Sequence, residues 1–293
     1  MNKGKTIDWH QMTGELDFNM TNDFLFRALL QEKNSVLAAL SASMMSWEEN
    51  EIVSARIENP IELRQASDTK EFILDVKVLL NSRVTVNLEM QVMNLGNWPE
   101  RSLSYLCRSY DNLNRGEDYN EVKPVYQVGI TDFSPIKGND RFFSRYMFQE
   151  TDGHELFSEK IGLFVLNLTK IDQATEKDRK YNRDLWAMMF KAKTWEDLKM
   201  LAEKNIKVDE AVGQVYKITR DEMLRQKMEA REEYYRIERT NQRMMEEKDN
   251  ALKEKDNALK EKDNALKEKD RALEEKDNEI SELRARLAHY EKG

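Results

Sequence analysis

The sequence predicts an α/β fold followed by a helical subdomain and a long charged helix. Residues 72–92 alternate between apolar and polar side chains in two runs, and segments with helical spacing lie on both sides of them. A seven-residue repeat begins at Asp249. These patterns predict four consecutive segments: an N-terminal extension at 1–19, a core at 20–170, a helical subdomain at 171–235, and a heptad-repeat helix or coiled coil at 236–293.

Residues 72–92 predict a two-stranded antiparallel hairpin. Its even-numbered residues are apolar, while its odd-numbered residues include Asp75, Lys77, Glu89 and Gln91. Opposed residues of an antiparallel pair share a face, so odd positions must oppose odd positions. A three-residue loop at 81–83 obeys this rule and places Asp75 opposite Glu89, whereas a two-residue loop does not. Two adjacent carboxylates repel each other unless a cation lies between them, and a divalent cation is the obvious candidate.

The flanking segments predict helices and further strands. Residues 22–45 predict one helix with Thr21 as its N-cap. A second helix is predicted at 99–114, with an apolar stripe of Leu103, Leu106, Cys107, Tyr110 and Leu113. Strand patterns occur at 53–63, 124–133, 142–149 and 161–168, and the chain reads as helical from about residue 173.

Composition excludes several classes of protein. The net charge of -8 argues against a broad nucleic-acid-coating surface, although a local basic strip remains compatible with it. The single cysteine, Cys107, excludes an intrachain disulfide and a cysteine-rich zinc site. No apolar leader or membrane-spanning run is present, so the sequence predicts a soluble cytoplasmic protein without membrane contact.

An aspartate on one strand followed by Glu-x-Gln on the next (Asp75, then Glu89-Met90-Gln91) resembles the core of PD-(D/E)XK nucleases. The resemblance is closest to the Rpn family of recombination-promoting nucleases, also described as PD-(D/E)XK nuclease family transposases. Further matching positions occur in the family's order over roughly residues 21–235: Asp23-Phe24-Leu25-Phe26-Arg27, Lys70, Arg101, Tyr105, Gly116 and Tyr119. The resemblance implies a restriction-endonuclease-like core, with a mixed sheet flanked by helices.

The resemblance also implies a metal-dependent site. Asp75 and Glu89, with the backbone carbonyl of Met90, would bind Mg²⁺ or another divalent cation such as Mn²⁺ or Ca²⁺. Gln91 stands where the superfamily more commonly has lysine, and Lys77 either supplies the missing positive charge or is an ordinary solvated lysine. A solvated sheet face is the alternative explanation for these polar residues.

The first helix of such folds often contributes another acid. Asp23 and Glu32 are the candidates, and Asp23 is preferred because it lies in the matching Asp-Phe-x-Phe stretch. Its competing role is that of a first-turn acid that favours the helix dipole.

A polar stripe on the second predicted helix is a candidate DNA-binding surface. Arg101, Tyr105 and Arg108 are its candidate DNA-binding residues, and Asn112 and Arg115 continue the same spacing. Such a stripe could follow a phosphate backbone, or it could be an ordinary solvated face. Arg101 and Tyr105 also match the family pattern.

The C-terminal repeat predicts a charged helix. Asp-Asn-Ala-Leu-Lys-Glu-Lys starts at Asp249, Asp256 and Asp263, and a near-copy starts at Asp270. Leucine recurs at one heptad position, but the complementary seam position is lysine. We expect self-association through this helix, with a solvated single helix as the alternative.

The leading functional hypothesis is a metal-dependent DNA endonuclease that promotes recombination or acts on mobile or foreign DNA. The alternative is a non-catalytic DNA-binding or interaction protein that works through its coiled-coil tail. True transposase activity is a third hypothesis, but the sequence contains no separate helix-turn-helix or similar DNA-binding domain.

Overall fold

The computed structural model describes residues 8–63 and 75–290. The first half of the predicted hairpin strand (Phe72, Ile73 and Leu74) and Lys70 lie outside the described residues. The described chain divides into two compact units, the first ending at Glu233 and the second beginning at Tyr234.

A mixed sheet forms the centre of the first unit. Its strands lie in the order β1-β2-β3-β4-β6-β5. The β1–β2, β2–β3 and β5–β6 pairs are antiparallel, while β4 is parallel to both β3 and β6. The strands are β1 (Ala55–Ile57), β2 (Val76–Leu80), β3 (Val84–Gln91), β4 (Val125–Thr131), β5 (Phe143–Gln149) and β6 (Leu156–Asn167).

Helices flank this sheet and continue to the end of the described chain. Short 3-10 turns occur at Trp9–Gln11, Glu49–Glu51, Tyr119–Glu121 and Leu168–Gln173. The α-helices are α1 (Asp23–Glu32), α2 (Asn34–Met45), α3 (Trp98–Tyr110), α4 (Glu176–Lys180), α5 (Arg183–Lys191), α6 (Trp195–Ala202), α7 (Ile206–Arg220) and α8 (Glu222–Tyr290). The predicted α/β class with a long C-terminal helix is confirmed.

The predicted hairpin register is also confirmed. Leu80 pairs with Val84 and Val76 pairs with Leu88, so the loop is the three-residue one at 81–83. Asn81 and Ser82 have left-handed backbone angles, φ 50° and 57°. The even-numbered side chains of β2 and β3 are buried in the main apolar core with α1, α2 and α5 to α7. That core includes residues from both the predicted 20–170 and 171–235 segments.

The predicted helix at 22–45 is two helices, and Thr21 is not its N-cap. Asn22 caps α1 by accepting a hydrogen bond from the Leu25 amide at 3.2 Å. The helix breaks at Lys33, whose backbone is non-helical (φ -130°, ψ 87°). Ser35 on α2 donates a hydrogen bond to Glu210 on α7, and Lys33 forms an ion pair with the same carboxylate, so tertiary contacts hold the break and the start of α2.

The predicted apolar stripe on the second helix is correct at Leu106 and Tyr110, which lie in or against a buried cluster, and wrong at Leu103 and Cys107. α3 ends at Tyr110, and Leu103 and Cys107 are exposed, whereas Trp98, Ser102 and Leu106 are buried. Trp98 and Leu106 pack on Val125, Ile161, Leu163 and Val165, which lie on the odd-numbered face of the sheet. The helix is therefore turned so that Arg101, and not a leucine, lies over the polar part of that face.

The second unit contains the rest of α8. Its heptad leucines are solvent-exposed, with Leu252, Leu259, Leu266 and Leu273 between 59% and 61% accessible. No helix in the described part of the chain is both long enough and apolar enough to span a membrane.

Candidate active site

The central strand β3 carries a row of buried polar residues on its odd-numbered face. Thr85, Asn87, Glu89 and Gln91 are all buried. This finding excludes the ordinary solvated sheet face as an explanation for them. Burying polar groups is unfavourable unless they are paired, so their partners determine what this face can do.

Glycine on β4 lets α3 approach this face closely. Gly129 pairs with Glu89 in the parallel β3–β4 register. A Cβ atom built at Gly129 would lie 2.4 Å from Cζ2 of Trp98, the first residue of α3. The absence of a side chain at Gly129 therefore allows α3 to lie over Glu89.

Two polar groups hold the Glu89 carboxylate. Arg101 on α3 forms an ion pair from its Nη2 to Oε1 at 2.7 Å, and Gln127 on β4 donates from Nε2 to Oε2 at 3.3 Å. Burial raises the pKa of Glu89; Arg101 lowers it, and the nearby Asp75 and Asp23 carboxylates raise it further, so the net pKa is above its ordinary value. Glu89 is therefore a buried acid with little compensating positive charge.

Asp75 lies beside Glu89 immediately before β2. Extending the observed Val76–Leu88 register by one residue places it opposite Glu89, as the sequence predicts. Its backbone carbonyl accepts hydrogen bonds from the Arg27 guanidinium and from Nδ2 of Asn59, the latter at 3.0 Å. Within the described residues, its half-buried carboxylate makes no hydrogen bond or ion pair. The backbone of Asp75 is thus held in place beside Glu89.

Several buried amide oxygens near Glu89 also lack partners. Gln91 donates to the Met93 carbonyl at 3.2 Å, but its Oε1 has no hydrogen-bond partner among the described residues. The same holds for Oδ1 of Asn87 and Oε1 of Gln127. Orphaned buried acceptors are costly and rare. They are explained if a cation or a polar ligand binds on this face.

The donor set fits a hard divalent cation. Carboxylate and amide oxygens are the ligands that Mg²⁺ and Ca²⁺ prefer, and Asp75, Glu89 and Gln91 offer them. In the part of the chain that the structure describes, no three His, Cys, Asp or Glu side chains converge as a ready-made metal centre. A cation here would therefore be held by two carboxylates together with amide, backbone or water oxygens.

Asp23 lies at the first turn of α1 and is buried. Arg231 in the early part of α8 binds it through two nitrogens, at 2.7 Å to 3.0 Å. Asp23 contributes to the raised pKa of Glu89, whereas Glu32 is not among the groups that do so. Glu32 instead accepts a hydrogen bond from Gln214 at 2.8 Å. Of the two candidate first-helix acids, Asp23 is therefore the one near the site.

Of the remaining predicted site residues, some lie at this site and others lie on the protein surface. Lys77 forms an ion pair with Glu58 at 3.3 Å, so its ammonium group already has a partner away from Glu89. The Arg101 guanidinium lies over the Tyr105 ring, 5.4 Å from its centroid. Arg108 is exposed farther along α3. Since α3 ends at Tyr110, Asn112 and Arg115 do not continue its helical face.

Sequence reasoning missed three residues that support the site. Gln127 lies within the apolar β4 run, where a single polar residue in a buried strand is the signal that could have found it. Arg27 belongs to the matched Asp-Phe-Leu-Phe-Arg stretch but had no assigned role, and here it holds the Asp75 carbonyl. Arg231 is 208 residues from Asp23, and no local pattern predicts their contact.

The residues of this site lie within a region that matches a known protein family. A family model described as PD-(D/E)XK nuclease family transposase matches residues 20–245, a span that includes every residue of the site above. Neither the curated proteins nor the solved structures give a significant match. The matched residues cover most of the 293-residue chain and contain the Asp75, Glu89-x-Gln91 arrangement on a mixed sheet. The chain belongs to the PD-(D/E)XK nuclease family transposases.

Proposed function

We propose that this protein is a metal-dependent DNA endonuclease that hydrolyses phosphodiester bonds, in recombination or in the processing of mobile or foreign DNA. The observation that carries this proposal is Glu89, a buried carboxylate next to Asp75 and to a Gln91 oxygen that has no hydrogen-bond partner in the part of the chain that the structure describes. Titratable groups with perturbed pKa values at such places are candidates for catalysis. Family membership supports a nuclease, and PD-(D/E)XK nucleases generally use divalent metal ions.

The proposed roles follow from the contacts. Asp75 and Glu89 hold the cation, and Gln91 orients a water molecule or adds an oxygen ligand. When bound, the cation polarises the phosphodiester and lowers the pKa of nearby water. Arg101, Tyr105 and Arg108 contact the DNA backbone, and Asp23 adds negative charge from α1. Lys77 has the weakest support because it already pairs with Glu58.

Plasmid cleavage tests the proposal. Metal-free protein is supplied with Mg²⁺, Mn²⁺ or Ca²⁺, and wild type is compared with Asp75→Asn and Glu89→Gln. We expect each variant to lose cleavage by about a hundredfold or more, because several kcal/mol of transition-state stabilisation depend on the cation. Glu210→Gln is the matched control, because Glu210 lies on α7 among structural contacts and should leave cleavage unchanged. Equal cleavage by wild type and both site variants would contradict the assignment.

We also propose that the C-terminal helix self-associates. The leucines of the repeat are about 60% exposed in one chain, and an apolar row at heptad spacing is typical of a coiled-coil seam. In the full-length protein, replacing Leu252, Leu259, Leu266 and Leu273 with Gln should lower the oligomer mass measured by light scattering. An unchanged mass would instead favour a solvated single helix.

A further inference from the structure

The ion pair between Arg101 and Glu89 joins a partly exposed cation to a buried acid. Their Nη2 and Oε1 atoms are 2.7 Å apart, and the side chains are 36% and 7% exposed, respectively. The guanidinium therefore reaches Glu89 from the solvent side of the site. It can leave that position without unfolding the surrounding core.

The ring of Tyr105, one helical turn from Arg101, is a second interaction partner for the Arg101 guanidinium. The guanidinium carbon already lies 5.4 Å from the centroid of the Tyr105 ring, within the range of a cation–π interaction. Loss of the carboxylate contact would thus leave the arginine supported on α3, with one face of its guanidinium on an aromatic ring.

Gln127 holds the other oxygen of Glu89 and cannot leave in the same way. It is fully buried on β4, and its Nε2 donates to Oε2 of Glu89 at 3.3 Å. The parallel register also fixes its backbone beside Asn87. If Arg101 moved, Gln127 would keep the Glu89 carboxylate in its present orientation.

Charge determines which cation this pair of acids prefers. The Arg101 guanidinium contacts Glu89 at 2.7 Å, and the hairpin register places Asp75 opposite Glu89, so one guanidinium lies beside two acids. One guanidinium offsets one of these two negative charges, whereas a divalent cation offsets both. The arginine and the cation would repel each other if both contacted Glu89.

We propose that Arg101 is the resident counter-cation of Glu89 in the metal-free protein and that a divalent cation displaces it. Gln127 is the positioning residue that holds Glu89 during this exchange, and the released guanidinium binds a DNA phosphate. This inference rests on the proposed nuclease function. It adds that one arginine competes with the metal and also contributes to DNA binding.

The experiment measures metal affinity and DNA affinity separately in the full-length protein. Mn²⁺ binding without DNA is measured by calorimetry, and DNA binding is measured in Ca²⁺ by fluorescence anisotropy. Arg101→Met and Arg101→Gln both remove the charge, so the measurement does not depend on the folding of one variant. Arg83→Met, at an exposed arginine in the hairpin loop, is the matched control.

Substitution of Arg101 is expected to change the affinities for Mn²⁺ and for DNA in opposite directions. Both Arg101 variants should bind Mn²⁺ about tenfold more tightly and DNA about tenfold more weakly, while Arg83→Met changes neither affinity appreciably. Gln127→Leu should weaken Mn²⁺ binding by about tenfold, as expected for residues that orient metal ligands. Unchanged or weaker Mn²⁺ binding in both Arg101 variants overturns the competition, as does the absence of Mn²⁺ binding in every protein. If wild type binds Mn²⁺ but cuts no DNA, the nuclease proposal fails while the competition is still decided by the affinities.

Discussion

Glu89 lies under α3 on the central sheet, whereas Glu210 lies on α7 beside the break between α1 and α2. Both contact cations, yet their pKa values shift in opposite directions. Burial raises the pKa of Glu89, whereas hydrogen bonds from Ser35 and Lys207, and more weakly from Lys33, lower that of Glu210 to about 2. Glu210 receives donors from the break residue Lys33, from the start of α2 and from its own helix. Among the described residues, Glu89 receives one guanidinium and one amide while two other acids lie nearby.

The number of donors around each carboxylate distinguishes a structural carboxylate, Glu210, from one that can bind a ligand, Glu89. Glu210 is saturated with donors, so nothing further needs to bind there. Glu89 is short of positive charge, and amide oxygens near it have no partner among the described residues. Glu89 is also the more buried side chain, 7% exposed against 25% for Glu210, and fewer described donors compensate for its burial.

The largest expected effect comes from Gly129→Ala, which removes the space that brings α3 and Arg101 over Glu89. The new Cβ would overlap the buried Trp98 ring, so we expect destabilisation of about 1–3 kcal/mol, typical of overpacking, together with loss of DNA cleavage. Chemical denaturation measures the stability. Gly213→Ala is the control, because its Cβ would approach only Nε1 of Trp9, at 3.3 Å, and a helical position favours alanine. Equal stability of Gly129→Ala and wild type would show that α3 does not depend on this close approach.

A smaller effect is expected in how the stability contributed by Glu89 depends on pH. Its folded-state pKa lies above 4.5, so the folded protein binds more protons than the unfolded chain between 4.5 and that raised value. The stability of wild type relative to Glu89→Gln should therefore be greatest in acid and should fall as pH rises through this window. Denaturant midpoints of metal-free protein from about pH 3 to about pH 7 measure it. A difference that grows with pH would mean that Glu89 is well supplied with positive charge.

The smallest effect is expected at Glu210, with the opposite sign. Its pKa is lowered from 4.5 to about 2, so its contribution is present above pH 4.5 and is lost as pH falls towards 2. Glu210→Gln should cost about 1 kcal/mol or less near neutral pH, because solvent screens the ion pairs of this partly exposed carboxylate. The same denaturant series measures this variant. Parallel pH slopes for the Glu89 and Glu210 variants would remove the distinction between the two sites.

Features with a strict local period could be predicted from the sequence. The hairpin register follows from parity, because strand side chains alternate every residue and the apolar face must remain continuous. That register predicts Asp75 beside Glu89, and the observed strand pairing agrees with it. The family's residue order supplied the fold class, and the structure agrees with it.

Features decided by distant contacts could not be predicted. The predicted stripe on α3 was wrong at Leu103 and Cys107, because the sheet face beneath that helix carries Glu89 and binds Arg101. No proline or glycine marks the break at Lys33; its contacts to Glu210 come from α7. Gln127 reaches Glu89 only through the parallel β3–β4 pairing, which no turn in the sequence specifies.

The repeated segment of α8 has a consequence for how this gene can change. One Asp-Asn-Ala-Leu-Lys-Glu-Lys copy spans about two helical turns, so its gain or loss shifts the following residues by about 10 Å along the axis and only about 20° around it. Gain or loss of whole copies would lengthen or shorten the helix in fixed steps while leaving Ile280, Leu283 and Leu287 on nearly the same side. The length of this helix can therefore change by whole repeats without changing which side its terminal apolar residues occupy.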